Sequence, residues 1–152
     1  MFYLAPKLKS MERIIKSLWF LSLMGVMGVL LFVYASLPDV VNYSESNSAS
    51  RDFLFYVCVI ILGVSNFSLY GISRRFDNSH NELATVVYGW LYAFNLLLNI
   101  FYSVVMIFIN MFNGGESVQL SYYGSYIYIS LGLLVVCILS LPVLIAKNIS
   151  KS

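Results

Sequence analysis

Four long apolar runs separated by short polar breaks dominate the chain, at about 15–35, 53–72, 84–111 and 123–145. A run of roughly 18 or more such residues with almost no charge is long enough to cross a bilayer as a helix. The pattern predicts an all-α, integral membrane four-helix bundle with short loops, forming a single domain over 1–152. It leaves no room for a separate soluble domain.

The third run carries the sharpest pattern. Tyr88, Tyr92, Asn95, Asn99, Tyr102, Met106 and Asn110 step by 4, 3, 4, 3, 4 and 4, which places them on one helical face. The opposite face reads Trp90, Phe94, Leu97, Phe101, Val104 and Phe108, and is expected to meet lipid. The amide stripe must then face protein, because an amide in hydrocarbon without a partner costs several kcal/mol. Asn66 and Ser65 in the second run, Ser130 in the fourth, and backbone beside the glycines of the first and fourth are its candidate partners. One reading makes the stripe an interhelical adhesive, at about 0.6 kcal/mol per hydrogen bond. The other makes it a neutral pocket for a lipid, quinone or small solute, or a seam against another subunit. At about 28 residues, or roughly 42 Å, this run exceeds a hydrocarbon layer of about 30 Å and is expected to tilt or protrude.

Elsewhere the punctuation is plainer. A short basic lead with Phe2, Tyr3 and Leu4 at its tip precedes the first run, and Met11 offers an alternative start. Trp19 reads as a headgroup-level anchor beside Lys16. Ser22, Gly25 and Gly28, spaced by three, and Gly132 read as small residues for close helix packing, with a dimerisation groove as the alternative. Pro38 ends the first helix, and the Ser/Asn-rich stretch to Ser50 reads as a solvated, mobile loop. A second loop carries Arg74 and Arg75, which read as a topological anchor, a lipid headgroup contact or a docking point. Ser79 and Glu82 have capping-box spacing and would start the third helix at His80. Asn113–Glu116 reads as a turn, Tyr122, Tyr123, Tyr126 and Tyr128 as an interfacial belt, and Pro142 as a late kink.

Composition reinforces the membrane reading, being 60% hydrophobic and only 11% charged. The first run exceeds a signal-peptide core, and no small-residue cleavage pattern follows it. Charge sets the expected orientation. Lys7, Lys9, Arg13, Lys16, Arg74, Arg75, Lys147 and Lys151 fall on one side with three acids, whereas Arg51 faces four acids on the other. By the positive-inside rule both termini and the middle loop are cytoplasmic. A net charge of +2 spread over loops leaves no footprint for nucleic acid. Cys58 and Cys137 form no C-x-x-C pair, and a lone histidine without a ligand cluster is a poor metal site, so no cofactor is expected. No ionisable residue lies deep in a run, which disfavours proton-coupled exporters and intramembrane aspartyl peptidases.

Tyr34–Asp39 closing the first run, Arg51-Asp52-Phe53 opening the second, the Asn-rich third run and the Asn113–Glu116 turn resemble a group of uncharacterised four-span bacterial inner-membrane proteins. The resemblance spans nearly the whole chain. It implies the architecture and a multi-pass inner-membrane location, and it brings no mechanism. The functional expectation is a non-enzymatic accessory or scaffold subunit of a larger membrane complex. Its partners would be the lipid bilayer and other membrane subunits or itself. A small transporter or channel subunit using the Asn/Tyr seam is one alternative. A lipid- or quinone-handling enzyme, using Arg74, is the other.

Overall fold

A computed structural model of the chain describes residues 5–44, 47–77, 82–114 and 120–149, with side chains over 13–42, 47–76, 83–114 and 124–148. In chain order these form α1 (Ala5–Ser36), β1 (Val40–Ser44), β2 (Asn47–Ser50), α2 (Arg51–Asp77), α3 (Glu82–Asn113) and α4 (Leu120–Ile149). Phe2, Tyr3, Leu4, Ser79, His80, Gly115, Glu116 and Lys151 lie outside the described residues, and so do the capping box and glycine turn that some of them define. All four helices are long and apolar enough to cross a membrane, over Arg13–Ser36, Arg51–Phe76, Leu83–Asn113 and Gly124–Asn148. Phe20, Leu21, Phe32, Phe67, Val136 and Leu139 are among many large apolar side chains left on the outside. That is far more apolar surface than water tolerates on a monomer.

The helices outrun the apolar pattern at their ends. α1 takes in most of the basic lead, because Pro6 sits in its first turn, where a missing N–H breaks no helical bond. α2 continues through Arg74 and Arg75, which therefore occupy a last helical turn instead of a loop. Cations there oppose the partial negative charge of the helix C-terminus. At its other end α2 is capped by Ser50, whose Oγ accepts from the Phe53 N–H at 3.3 Å.

The stretch expected to be a mobile loop is instead an antiparallel hairpin. Val40 pairs with Ser50, Val41 with Ala49 and Asn42 with Ser48, before the register shifts to Ser44 and Asn47. Strand alternation points Val40 outward and buries Val41 completely, at 0% exposure. Val41 completes an apolar core with Leu30, Val33, Leu37 and Met106. Counting serines and asparagines obscured this, since the ordering comes from two adjacent valines and from tertiary contacts.

α3 is the hub of the molecule. It packs against α1, α2 and α4, whereas α1 and α2 meet only lightly and α4 touches no other described helix. The apolar face of α3 is accordingly covered by α4 and does not simply face lipid. Trp90 Nε1 donates to the Cys137 carbonyl at 2.8 Å and to Ser140 Oγ at 3.2 Å. Only Ala93, Ile100 and Ile107, seven residues apart, form a narrow exposed strip along the middle of α3. The bundle is thus three helices around a fourth, with two distinct ends. Lys16 and Arg74 mark a basic end, and the β1–β2 hairpin covers the other.

Candidate functional site

Each helix brings one inward stripe to the centre. On α1 it runs Lys16, Trp19, Ser22, Val26, Leu30 and Val33, and on α2 Cys58, Leu62, Asn66, Tyr70 and Ser73, all at steps of three or four. Where these meet the polar face of α3, three helices are joined by one hydrogen-bonded cluster. Asn66 Nδ2 donates to Asn99 Oδ1 at 2.8 Å, and Asn99 Nδ2 returns a bond to Asn66 Oδ1 at 3.1 Å. The second Asn66 N–H reaches the Leu62 carbonyl at 3.0 Å, and Trp19 Nε1 donates to Asn66 Oδ1 at 3.1 Å. Asn99 Nδ2 also donates to Ser22 Oγ at 3.0 Å, and Ser22 donates in turn to the Trp19 carbonyl at 2.7 Å.

The surroundings dictate which way the Asn66 amide points. An indole N–H can only donate and a peptide carbonyl can only accept, so Trp19 must face the oxygen and Leu62 the nitrogen. Both donors and both acceptor sites of Asn66 are then used. Asn66 and Asn99 are 2% and 1% exposed, so this closed cluster is shielded from solvent and lipid alike.

The rest of the α3 stripe is less uniform. Tyr88, Tyr92 and Asn95 are buried, and Tyr88 and Tyr92 pack ring against ring at 4.9 Å. Asn95 Oδ1, fully buried, has no hydrogen-bond partner among the described residues. Tyr102 is half-buried and lines an apolar groove of about 350 Å³ with Leu30, Leu54, Phe101 and Met106. Asn110 sits near the hairpin end, where Ser36 Oγ donates to its Oδ1 at 2.8 Å. Ser65 and Ser130 turn back onto carbonyls of their own helices, Leu62 and Ile127, and do not meet the amides.

The expected small-residue contacts divide. Ser22 belongs to the central cluster. Gly25, Gly28 and Gly132 lie on exposed faces, and a Cβ built on any of them would meet nothing within 4 Å. They therefore do not bring helix backbones together within this chain; the helices meet through larger side chains.

Above the amide cluster, toward the basic end, α1 and α2 part to form a cleft of about 640 Å³. Lys16, Ser17, Trp19, Phe20, Leu21, Tyr70, Arg74 and Tyr92 line it. Trp19 and Tyr70 stack at 5.2 Å with planes 5° apart, and Tyr92 meets Trp19 edge-on at 5.7 Å. The Arg74 guanidinium lies 5.7 Å from the Tyr70 ring centre, and Lys16 Nζ lies 5.3 Å from that of Tyr88. Arg75 is exposed and lines no part of this cleft. Such walls, with cations at the rim and π faces within, suit an anionic amphiphile better than a neutral solute.

Lys16 and Trp19, which the sequence offers as a headgroup-level anchor, and Tyr70, to which it gives no site role, all line the cleft. Their signal was present as an inward stripe continuous with Ser22 and with Asn66. An anchor residue and a cluster residue are indistinguishable until the partner helix is placed. Cys58 and Cys137 are free thiols. Among the described residues no group of three His, Cys, Asp or Glu side chains is placed to hold a metal ion. Comparison with protein-family models, with curated proteins and with solved structures gave no match.

Proposed function

We propose that this chain is a non-enzymatic, multi-pass protein of a bacterial inner membrane, with both termini cytoplasmic, serving as an accessory or scaffold subunit of a larger membrane assembly. The observation that carries the proposal is the way the interior polar groups are used. The Asn66–Asn99–Ser22–Trp19 cluster is spent on joining α1, α2 and α3. It also stands between the cleft at the basic end and the apolar groove beside Tyr102, which share no lining residue. This arrangement favours a packing role for the seam over a conduction path. α4, held by α3 alone among the described elements, offers Ile129, Leu133, Val136, Leu139 and Val143 along one exposed stripe at steps of three and four. Such a stripe has the form by which one membrane helix packs on another.

The test is site-specific photo-crosslinking at native expression level in the native membrane. A photoreactive residue at Val136 should give a discrete protein adduct, while one at Phe67 on exposed α2 serves as the reference. An adduct of twice the chain mass would identify the partner as a second copy. Lipid adducts alone at both positions would sink the subunit role.

A further inference from the structure

The cleft at the basic end has a layered chemistry that the packing role does not use. At the rim stand Lys16 from α1 and Arg74 from α2. Three residues inward from Lys16 and four inward from Arg74 come Trp19 and Tyr70, roughly 4.5–6 Å deeper at the helical rise. One more turn along α2, behind these rings, Asn66 accepts from Trp19 Nε1 and pairs with Asn99. The opening to the side passes Phe20 and Leu21, exposed at 56% and 67%.

Arg74 decides what such a cleft can hold. Its guanidinium rests against the Tyr70 ring and has no carboxylate or hydrogen-bond acceptor among the described residues. A guanidinium 5.7 Å from a ring centre and bonded to no described acceptor keeps its fork of N–H donors available, and that fork matches two oxygens of a phosphate. Lys16 adds a second positive charge across the rim from the first. Indole and phenol rings at this depth fit the zone where lipid headgroups give way to acyl chains.

We propose that this cleft binds a phosphate-bearing anionic lipid, its phosphate held by Arg74 and Lys16 and its chains leaving across Phe20 and Leu21. The inference rests on the membrane reading above and is independent of the subunit role. The shared chemistry is the phosphate, so the experiment separates lipid from free anion.

The chain, with Trp90→Phe so that Trp19 alone reports, is reconstituted and titrated with phosphatidylglycerol or phosphatidylcholine brominated on the acyl chains. Brominated phosphatidylglycerol should quench Trp19 at a markedly lower mole fraction, and removing each cation should cost about fivefold of that preference. Lys16→Gln with Arg74→Gln should abolish it, and millimolar inorganic phosphate should leave it intact. Equal quenching by both lipids, or a preference that survives the double variant, overturns the proposal. Displacement by inorganic phosphate overturns it in favour of a free-anion site. No quenching by either lipid removes the membrane reading as well. Native mass spectrometry of the unmodified chain tests the same site without the Trp90 change. One phosphatidylglycerol retained above the phosphatidylcholine background, and lost in the double variant, supports the site, and no such retention overturns it.

Discussion

Both ends of the bundle hold an arginine against a tyrosine, and they come out differently. At the hairpin end the Arg51 guanidinium lies 5.0 Å from the Tyr34 ring centre, donates to the Leu37 carbonyl at 3.1 Å and pairs with Asp39 at 3.0 Å. Tyr34 donates to Asp52 at 2.8 Å. Asn113 then ties the hairpin to the end of α3. Its Oδ1 accepts from the Asn42 N–H at 2.7 Å and its Nδ2 donates to the Asn42 carbonyl at 2.8 Å, much as a neighbouring strand would. What space is left beneath Arg51 amounts to about 10 Å³, too little to hold more than one water. At the basic end Arg74 and Tyr70 stand at nearly the same separation with no carboxylate or strand over them among the described residues, and a cleft of about 640 Å³ remains. An arginine–tyrosine contact is therefore neutral as to function. An added acid and two short strands turn it into a clasp, whereas the described residues of the basic end leave it at a charged mouth.

The largest effect is expected where the two ends are kept apart. Asn99→Leu removes three bonds at once, orphans one Asn66 N–H, and leaves Asn66 Oδ1 and Ser22 Oγ with only their bonds to Trp19. Each buried group left unpaired costs about 1–3 kcal/mol, so this variant should be the most destabilising single change in the bundle. Equilibrium unfolding in mixed micelles measures it. Changing Asn66→Leu in the same chain removes the orphaned amide and should recover a good part of the loss. Strict additivity of the two would show that the amides do not act as a pair.

At the hairpin end a smaller and divided response is expected. Arg51→Ala takes away the Leu37 bond, the Asp39 pair and the ring contact, for about 1–2 kcal/mol. Asp39→Asn removes only the ion pair. The Asp39 side chain is 90% exposed, so the loss should stay within roughly 0.5 kcal/mol. Equal losses from the two variants would mean that the salt bridge, and not the carbonyl bond, closes this end.

How much of this was legible beforehand depends on the kind of interaction. Helix positions follow from runs of apolar residues that no tertiary contact had to supply. The Asn/Tyr stripe of α3 follows from periodicity, and Asn66 stood out as an amide in an apolar run. The hairpin escaped notice because its strands are five and four residues long and its stability lies in Val41 under the core and Asn113 across the edge. The hub position of α3 was equally hidden. Its apolar face is as suitable for lipid as for α4, and only the Trp90 N–H, which needed an acceptor, hinted at a protein neighbour. Periodicity shows which side of a helix is polar, not which neighbour will cover it.

The least destabilising change is expected one turn from the most destabilising. Asn95 and Asn99 share a stripe, a residue type and almost the same burial, at 2% and 1% exposed. Asn99 is bonded on both its oxygen and its nitrogen, whereas the Asn95 oxygen has no partner among the described residues. A leucine at 95 would keep about the same volume and release the cost of burying an unpaired carbonyl, so Asn95→Leu should be neutral or stabilising by up to about 1 kcal/mol. The two asparagines thus predict opposite signs for the same substitution on the same face. Should Asn95→Leu instead cost as much as Asn99→Leu, the stripe would be a single polar unit running toward the basic end. The amides would then reach one turn nearer the cleft mouth than Asn66 and Asn99, and the contrast between an open end and a sealed middle would no longer hold.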